Sequence, residues 1–394
     1  MRLLKIAASL AARGGAALSA LWTFPALLAS AFLVAWAAEA AQFLISQGLA
    51  LALLAWLQTL PEFAVEAVIA WEAGADPARA HLAIANLTGA IRLLLGFGWP
   101  MIYFVYAWAR RRRGADGPRL PAIRLSPEHA VEVIGLVPPV LYFGFVVLKG
   151  TFSWLDAAIL IALYAAYLLV LLRHPPHDAE QVADAPRVAR WAHAQRGWRR
   201  PAAIGGLFAV GGALLFVTAH PFLESMLAVA GIVGLSQFFV VQWVAPFLSE
   251  FPEMVSTFTW AKRVTHAPTA LMNLVSSNIN QWTVLAAMIP LVFGWSHWRH
   301  FGAWADFRFD PAQQLELALT LAQTALGVAL LADLDFGWRR ATALLALWLV
   351  QFVVPEAREA VAVLYLAWLA GIAMWWIVRK RMPAAVGEFG RSWR

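Results

Sequence analysis

Two stretches of this chain set a Pro-Glu pair inside an apolar run, Leu60-Pro61-Glu62 and Phe251-Pro252-Glu253. Each proline removes a backbone donor and crowds the carbonyl four residues back, at Leu57 and Leu248. A freed carbonyl cannot stay unpaired in hydrocarbon, but it can ligate a cation in a protein-lined cavity. The adjacent Glu62 and Glu253 supply hard anionic oxygen. Thr59 and Ser249 offer hydroxyls, and Asn86 and Asn273, in similar stretches further along, offer amide oxygens. Hard cations take ligands of this kind, and Ca²⁺ takes about 6–8 oxygens with carboxylates balancing its charge.

Two more acids stand near the first pair. Glu66 follows Glu62 by one helical turn and Glu250 precedes Glu253 by three residues, so each pair shares a helix face. Four carboxylates near the middle of a bilayer cannot all ionise without cations, which makes protons plausible coupling ions. Arg92 lies about 18 Å into its apolar stretch at 1.5 Å per residue, too deep to snorkel easily. It is expected within ion-pair reach of Glu66, Glu250 or another buried acid, either as a built-in cation in the cavity or as a structural salt bridge.

The elements that must hold these groups are membrane helices. The 394 residues are 61% hydrophobic and 13% charged, where a soluble domain carries about 25% charged residues. Mean hydropathy is +0.66. The expected fold is an all-α polytopic membrane protein with about 11 transmembrane spans of roughly 20 residues each. They are placed at about 20–41, 46–72, 80–109, 127–148, 153–173, 203–223, 225–261 (long enough to be broken), 267–294, 311–333, 339–355 and 359–379. The third is long enough to tilt or bend near Gly96-Phe97-Gly98. The 21 tryptophans suit interfacial belts. Residues 1–18, weakly amphipathic with Arg2, Lys5 and Arg13, read as an interfacial segment without a cleavage site.

Basic clusters set the orientation. Arg110 to Arg113, the arginines between 173 and 200, Lys262-Arg263, Arg339-Arg340 and Arg379-Lys380-Arg381 fall on one side if the N-terminus is outside and the C-terminus cytoplasmic. The net charge of +7 is therefore read as topology, and no nucleic-acid partner is expected. The polar connection 173–202 divides the chain. The two Pro-Glu units then lie an odd number of spans apart and face opposite ways, which makes two inverted five-helix repeats plus one extra C-terminal helix. The expected divisions are 1–172 for the first repeat, 173–202 for a cytoplasmic linker, 203–355 for the second repeat, and 356–394 for the extra helix and basic tail.

The duplicated units resemble the alpha repeats of the cation/Ca²⁺ exchanger superfamily, which includes the sodium/calcium exchangers. The family pattern is roughly Gly-Thr-Ser-Leu-Pro-Glu, then Gly-Asn-x-x-Gly-Ser-Asn-Ile-x-Asn/Asp. The stretches 57–62 and 248–253 resemble the first element, with Leu57 and Gln58 replacing Gly and Thr, and Glu250 replacing Ser. The stretch 85–90 resembles the second, although Ala90 replaces Ser and Arg92 intrudes. The stretch 272–281 is the better match, ending in Gln281 where the family has Asn or Asp. The resemblance implies ion sites between spans 2, 3, 7 and 8. It implies that Glu62 and Glu253 hold Ca²⁺ or its substitute, and that Thr59, Ser277 and Gln281 help coordinate sodium or protons. The expected function is a secondary active antiporter moving Ca²⁺ or Na⁺ against Na⁺ or H⁺ by alternating access, in a cell (plasma) membrane, with no cofactor. The extra carboxylates and fixed positive charge favour proton-linked or simpler sodium exchange. The alternative is a degenerate homologue acting as scaffold or sensor without transport.

Other classes find little support. There is no cysteine, hence no disulfide, thiolate chemistry or cysteine metal site. No Gly-rich phosphate loop supports ATP-driven pumping, and no Ser/His/Asp grouping suggests an enzyme. His174-Pro175-Pro176-His177-Asp178 reads as a solvated loop, and Arg110–Arg113 as a topology anchor able to meet anionic membrane lipids.

Overall fold

The computed structural model describes residues 15–41, 59–114, 120–172 and 185–392. Among these, seven helices are long and apolar enough to cross a membrane. Several turn large apolar side chains outward: Leu148 is 88% exposed, Phe216 86% and Ile377 71%. Exposure of large apolar side chains on such helices is costly in water and ordinary in lipid.

In chain order the first helices are α1 (Ala20–Ala41) and α2 (Leu60–Ala75), followed by α3 (Ala80–Leu93) and α4 (Trp99–Arg112). A π-helical turn at Leu94–Gly98 joins α3 to α4, at the place where glycines predict a bend. Next come α5 (Ala130–Gly135), α6 (Val137–Lys149) and α7 (Trp154–Leu171). A capping box between Ser153 and Asp156 starts α7. Then follow α8 (Arg187–Ala194), α9 (Arg199–Val233), α10 (Gln237–Ser249) and α11 (Phe251–Lys262). The long apolar stretch from 225 is indeed broken. Gly234, at φ +77°, ends α9 in the left-handed conformation that glycine adopts without a Cβ clash, and Glu250 separates α10 from α11. α12 (Ala267–Asn280) runs through a second π-turn, Gln281–Leu285, into α13 (Ala286–Phe301). The last four helices are α14 (Pro311–Leu331), α15 (Trp338–Val353), α16 (Arg358–Val378) and α17 (Ala384–Ser392).

Three expectations change. The stretch 173–202 is not simply a polar loop, because α8 lies in its described part and α9 begins at Arg199. The helices expected to divide near 224 are one 35-residue helix, α9, with Pro221 inside it. Pro61 does not interrupt a described helix. It stands in the first turn of α2, where a missing N–H costs nothing. Residues 46–58 of the second expected span, the segment 1–14 and the His174–Asp178 loop lie outside the described residues.

The chain forms two compact units, the first of residues 1–90, 179–253 and 291–305, the second of 91–178, 254–290 and 306–394. In the first, α1 and α9 pack closely: Phe24 and Phe222 rings lie 5.0 Å apart, and Thr23 and Ser225 hydroxyls share a 2.8 Å hydrogen bond. Gly211 permits this approach, since a Cβ there would meet Leu33 and Val34 at 3.0 Å. α8 seals one end of the pair through Ala40, Ala185, Ala189, Ala192 and Ile204.

In the second unit, two short antiparallel ladders pin connecting loops. β1 (Ile123–Arg124) pairs with β4 (Asp335–Phe336), in register Ile123 to Phe336 and Arg124 to Asp335. β2 (Thr151–Phe152) pairs with β3 (Phe307–Arg308), in register Thr151 to Arg308 and Phe152 to Phe307. Their aromatics continue into the helices: Phe152 stacks edge-on with Phe143 at 5.3 Å, and Phe143 with Trp282 at 4.9 Å. Trp282 in turn donates its indole N–H to Thr324 at 3.1 Å, satisfying a buried polar group.

Candidate cation site

The first unit holds Thr59, Glu62, Glu66, Asn86, Ser249, Glu250 and Glu253, and every one is buried. Thr59 stands at the N-cap of α2 without a side-chain capping bond. Glu62 lies in the first turn, where unpaired amides and the helix dipole favour a carboxylate. Glu66 is one turn on, fully buried, and its Oε2 accepts a 2.7 Å hydrogen bond from Asn86 Nδ2. That bond leaves Glu66 Oε1 and Asn86 Oδ1 buried without a hydrogen-bond donor. Two acceptor oxygens left this way can serve a cation, a proton or a water.

In the other Pro-Glu stretch, Ser249 donates its hydroxyl to the carbonyls of Ala245 at 3.1 Å and Pro246 at 3.2 Å. Its oxygen keeps lone pairs for a further partner. Glu250 caps α10 and Glu253 sits in the first turn of α11, the same helical position as Glu62 in α2. Proline in each case starts the helix, and the carboxylate lands beside the free amides of a helix N-terminus.

The same unit holds a polar contact that sequence reasoning missed. Thr88 accepts a 3.3 Å hydrogen bond from Gln242 Nε2 and donates to the carbonyl of Ile84 at 2.6 Å. Gly89 admits it: a Cβ at this position would lie 1.7 Å from the Gln242 carbonyl oxygen, which is backbone and cannot turn away. Gly89→Ala is expected to destabilise the fold by about 3 kcal/mol, the upper end for overpacking. A thermal midpoint equal to that of the parent would show that α10 can retreat.

The second unit holds Asn273, Ser277, Gln281 and Arg92. Ser277 and Gln281 are buried and Asn273 is half-buried. Asn278, unassigned from sequence, donates to Gln281 Oε1 at 3.0 Å and to the Ile91 carbonyl at 3.4 Å, and its Oδ1 has no donor. The π-turn begins at Gln281, and such turns redirect side chains at functional sites.

Arg92 finds its acid on a helix the sequence reading left aside. Its guanidinium pairs with Glu316 of α14 and donates to Gln351 of α15 at 3.0 Å. Arg358 of α16 pairs with the other Glu316 oxygen. Gln351 goes on to Gln323 at 3.0 Å and Tyr365 at 3.3 Å. Neither Glu66 nor Glu250 is needed to explain Arg92. An acid within the apolar run 311–331 was the available signal for Glu316, by the rule applied to Glu62.

The family model described as sodium/calcium exchanger protein matches residues 14–173 and 204–355. A solved H⁺/Ca²⁺ exchanger, CAX, is similar at 30% identity over 96% of this chain and 91% of that one, with a TM-score of 0.85. The sodium-calcium exchanger NCX_Mj, solved with Na⁺ and Sr²⁺, shares the fold at 17% identity, covering 88% of this chain and 99% of that one with a TM-score of 0.52. No curated protein sequence matches. The duplicated acid-bearing stretches thus fall within the matched segments, and the chain belongs to the sodium/calcium exchanger family, whose members are secondary membrane transporters and not enzymes.

Proposed function

We propose that this protein is a Ca²⁺ antiporter driven by H⁺, with Na⁺ as the alternative driving ion. The observation that carries the reading is the concentration of buried acids in the first unit. Glu62, Glu66, Glu250 and Glu253 are each at most 3% exposed, and Glu66 is hydrogen-bonded to Asn86. Two carboxylates balance Ca²⁺, and the further pair gives protons somewhere to go when Ca²⁺ leaves. Similarity to an H⁺/Ca²⁺ exchanger over nearly the whole chain favours H⁺ over Na⁺. In this reading Glu62 and Glu253 bind the cation, and Thr59, Asn86 and Ser249 complete the shell. Glu66 and Glu250 exchange protons.

Alternating access would come from two inverted repeats, 1–172 and 203–355, joined by 173–202 and followed by an added segment from 356. The ladders support this division. β3 and β4 each lie 184 residues after β1 and β2, and each ladder joins an earlier strand to a later one in matching register. Glu62 and Glu253 at equivalent helix starts, and the two π-turns at Leu94–Gly98 and Gln281–Leu285, agree with it. The basic clusters favour an N-terminus outside and a C-terminus inside. Proteoliposomes with separately imposed H⁺ and Na⁺ gradients test the driving ion: Ca²⁺ uptake is expected with the H⁺ gradient. Uptake with Na⁺ alone would reverse the choice of ion. Absence of uptake with either would leave the non-transporting scaffold.

A further inference from the structure

Ten residues past Glu62, about 15 Å along the same helix, α2 ends in a second group of polar side chains in the first unit. His220 and Glu224 stand one turn apart on α9, and Glu72 meets them from α2. His220 Nε2 lies 3.0 Å from Glu72 Oε1, and one ligand atom from each of the three residues lies within 4.8 Å of the others. Arg79, on a single turn of 3-10 helix at Pro77–Arg79, pairs with Glu72 and reaches Glu224 at 3.3 Å.

We propose that Glu72, His220 and Glu224 form a binding site for a divalent transition metal such as Zn²⁺, with Arg79 occupying its carboxylates when the metal is absent. An imidazole and a carboxylate at i and i+4 present both ligand atoms to one face, the spacing that helical metal sites use. A carboxylate from a neighbouring helix supplies the third ligand, and water can complete a tetrahedron. Zn–N and Zn–O bonds of about 2.0–2.2 Å set ligand atoms roughly 3.4 Å apart in that geometry, close to the present His220–Glu72 separation of 3.0 Å. The imidazole selects against Ca²⁺, which takes oxygen ligands. Arg79 is displaceable: its side chain is 40% exposed and it projects from a short turn capped by Asp76. A metal bound here ties α2, the helix of Glu62 and Glu66, to α9.

The proposal does not depend on the exchange reading, because binding is measured without transport. The purified protein, carrying His174→Ala and His177→Ala to remove the other histidine pair, would be titrated with Zn²⁺ by calorimetry in excess Ca²⁺. One Zn²⁺ per chain is expected. His220→Ala should lose about tenfold or more in affinity, at least the effect of disturbing an outer-shell partner. His220→Cys should restore binding, since a thiolate is a good zinc ligand and the natural chain has no other cysteine to compete. Arg79→Ala should tighten binding by removing the competing cation. Unchanged affinity in His220→Ala would overturn the proposal, as would weakened binding in a folded Arg79→Ala protein.

Discussion

Replacing Glu62 or Glu253 by glutamine is expected to reduce gradient-driven Ca²⁺ exchange to the level of empty vesicles. The amide keeps the size of the side chain and removes its charge, and Ca²⁺ affinity depends on the number of charged oxygens around it. Both residues sit in the first turn of a helix, so the substitution leaves no cavity and breaks no helical hydrogen bond. The variants should therefore purify with the parent's thermal stability. Parent-level exchange in either folded variant would take that residue out of the transport site. Glu66→Gln is expected to behave differently. It retains Ca²⁺ binding and loses the dependence of exchange on pH, because its role in this account is to carry a proton.

The largest stability effect is expected at Glu316. Its two oxygens serve Arg92 and Arg358, both of which are buried or nearly so. Glu316→Gln leaves two guanidinium groups facing a neutral amide. Breaking a buried ion pair by removing one partner costs about 3–5 kcal/mol, because the remaining charge is stranded away from water. Arg92→Ala should cost less, since Glu316 keeps Arg358. With Arg92 engaged by Glu316 and Gln351, its loss should lower the thermal midpoint and leave the identity of the exchanged ions unchanged. A shift in ion stoichiometry or pH dependence in Arg92→Ala would show instead that the guanidinium stands in for a transported cation. An unaltered midpoint in Glu316→Gln would mean that the three-residue cluster contributes little to the fold.

Much of this was legible in sequence because lipid imposes severe rules. A carboxylate in an apolar run has few tolerable uses, so Glu62 and Glu253 stand out from residue type and surroundings, and the fold buries both. The irregular turn near Gly96 was readable for a similar reason: a 36-residue helix, Pro77–Arg112, exceeds a bilayer's thickness and carries two glycines where its π-turn falls. Partners were harder. Arg92 clearly needed an acid, but several lay within apolar runs, and sequence spacing says nothing about which helix of a bundle faces which. Glu316 lies 224 residues away, and only the packing of α14 joins them. The break between α10 and α11 was foreshadowed by Pro252, while the continuity of α9 through Pro221 was not. Proline inside a membrane helix is tolerated when neighbours satisfy the freed carbonyl, and composition does not reveal the neighbours. Gln242 escaped notice because a neutral amide in an apolar run gives a weak signal until Thr88 and Gly89 are seen against it.

In the proposed mechanism Glu62 and Glu253 hold the transported cation together. The most direct measurement is anomalous diffraction from crystals soaked in Sr²⁺, an ion with the oxygen-ligand chemistry of Ca²⁺. A strong peak is expected within coordination distance of a carboxylate oxygen from each residue, about 2.3–2.6 Å for Ca²⁺ and slightly longer for Sr²⁺. Loss of that peak is expected in Glu62→Gln crystals of the same form. A fully occupied Sr²⁺ site elsewhere, with no density between Glu62 and Glu253, would contradict it.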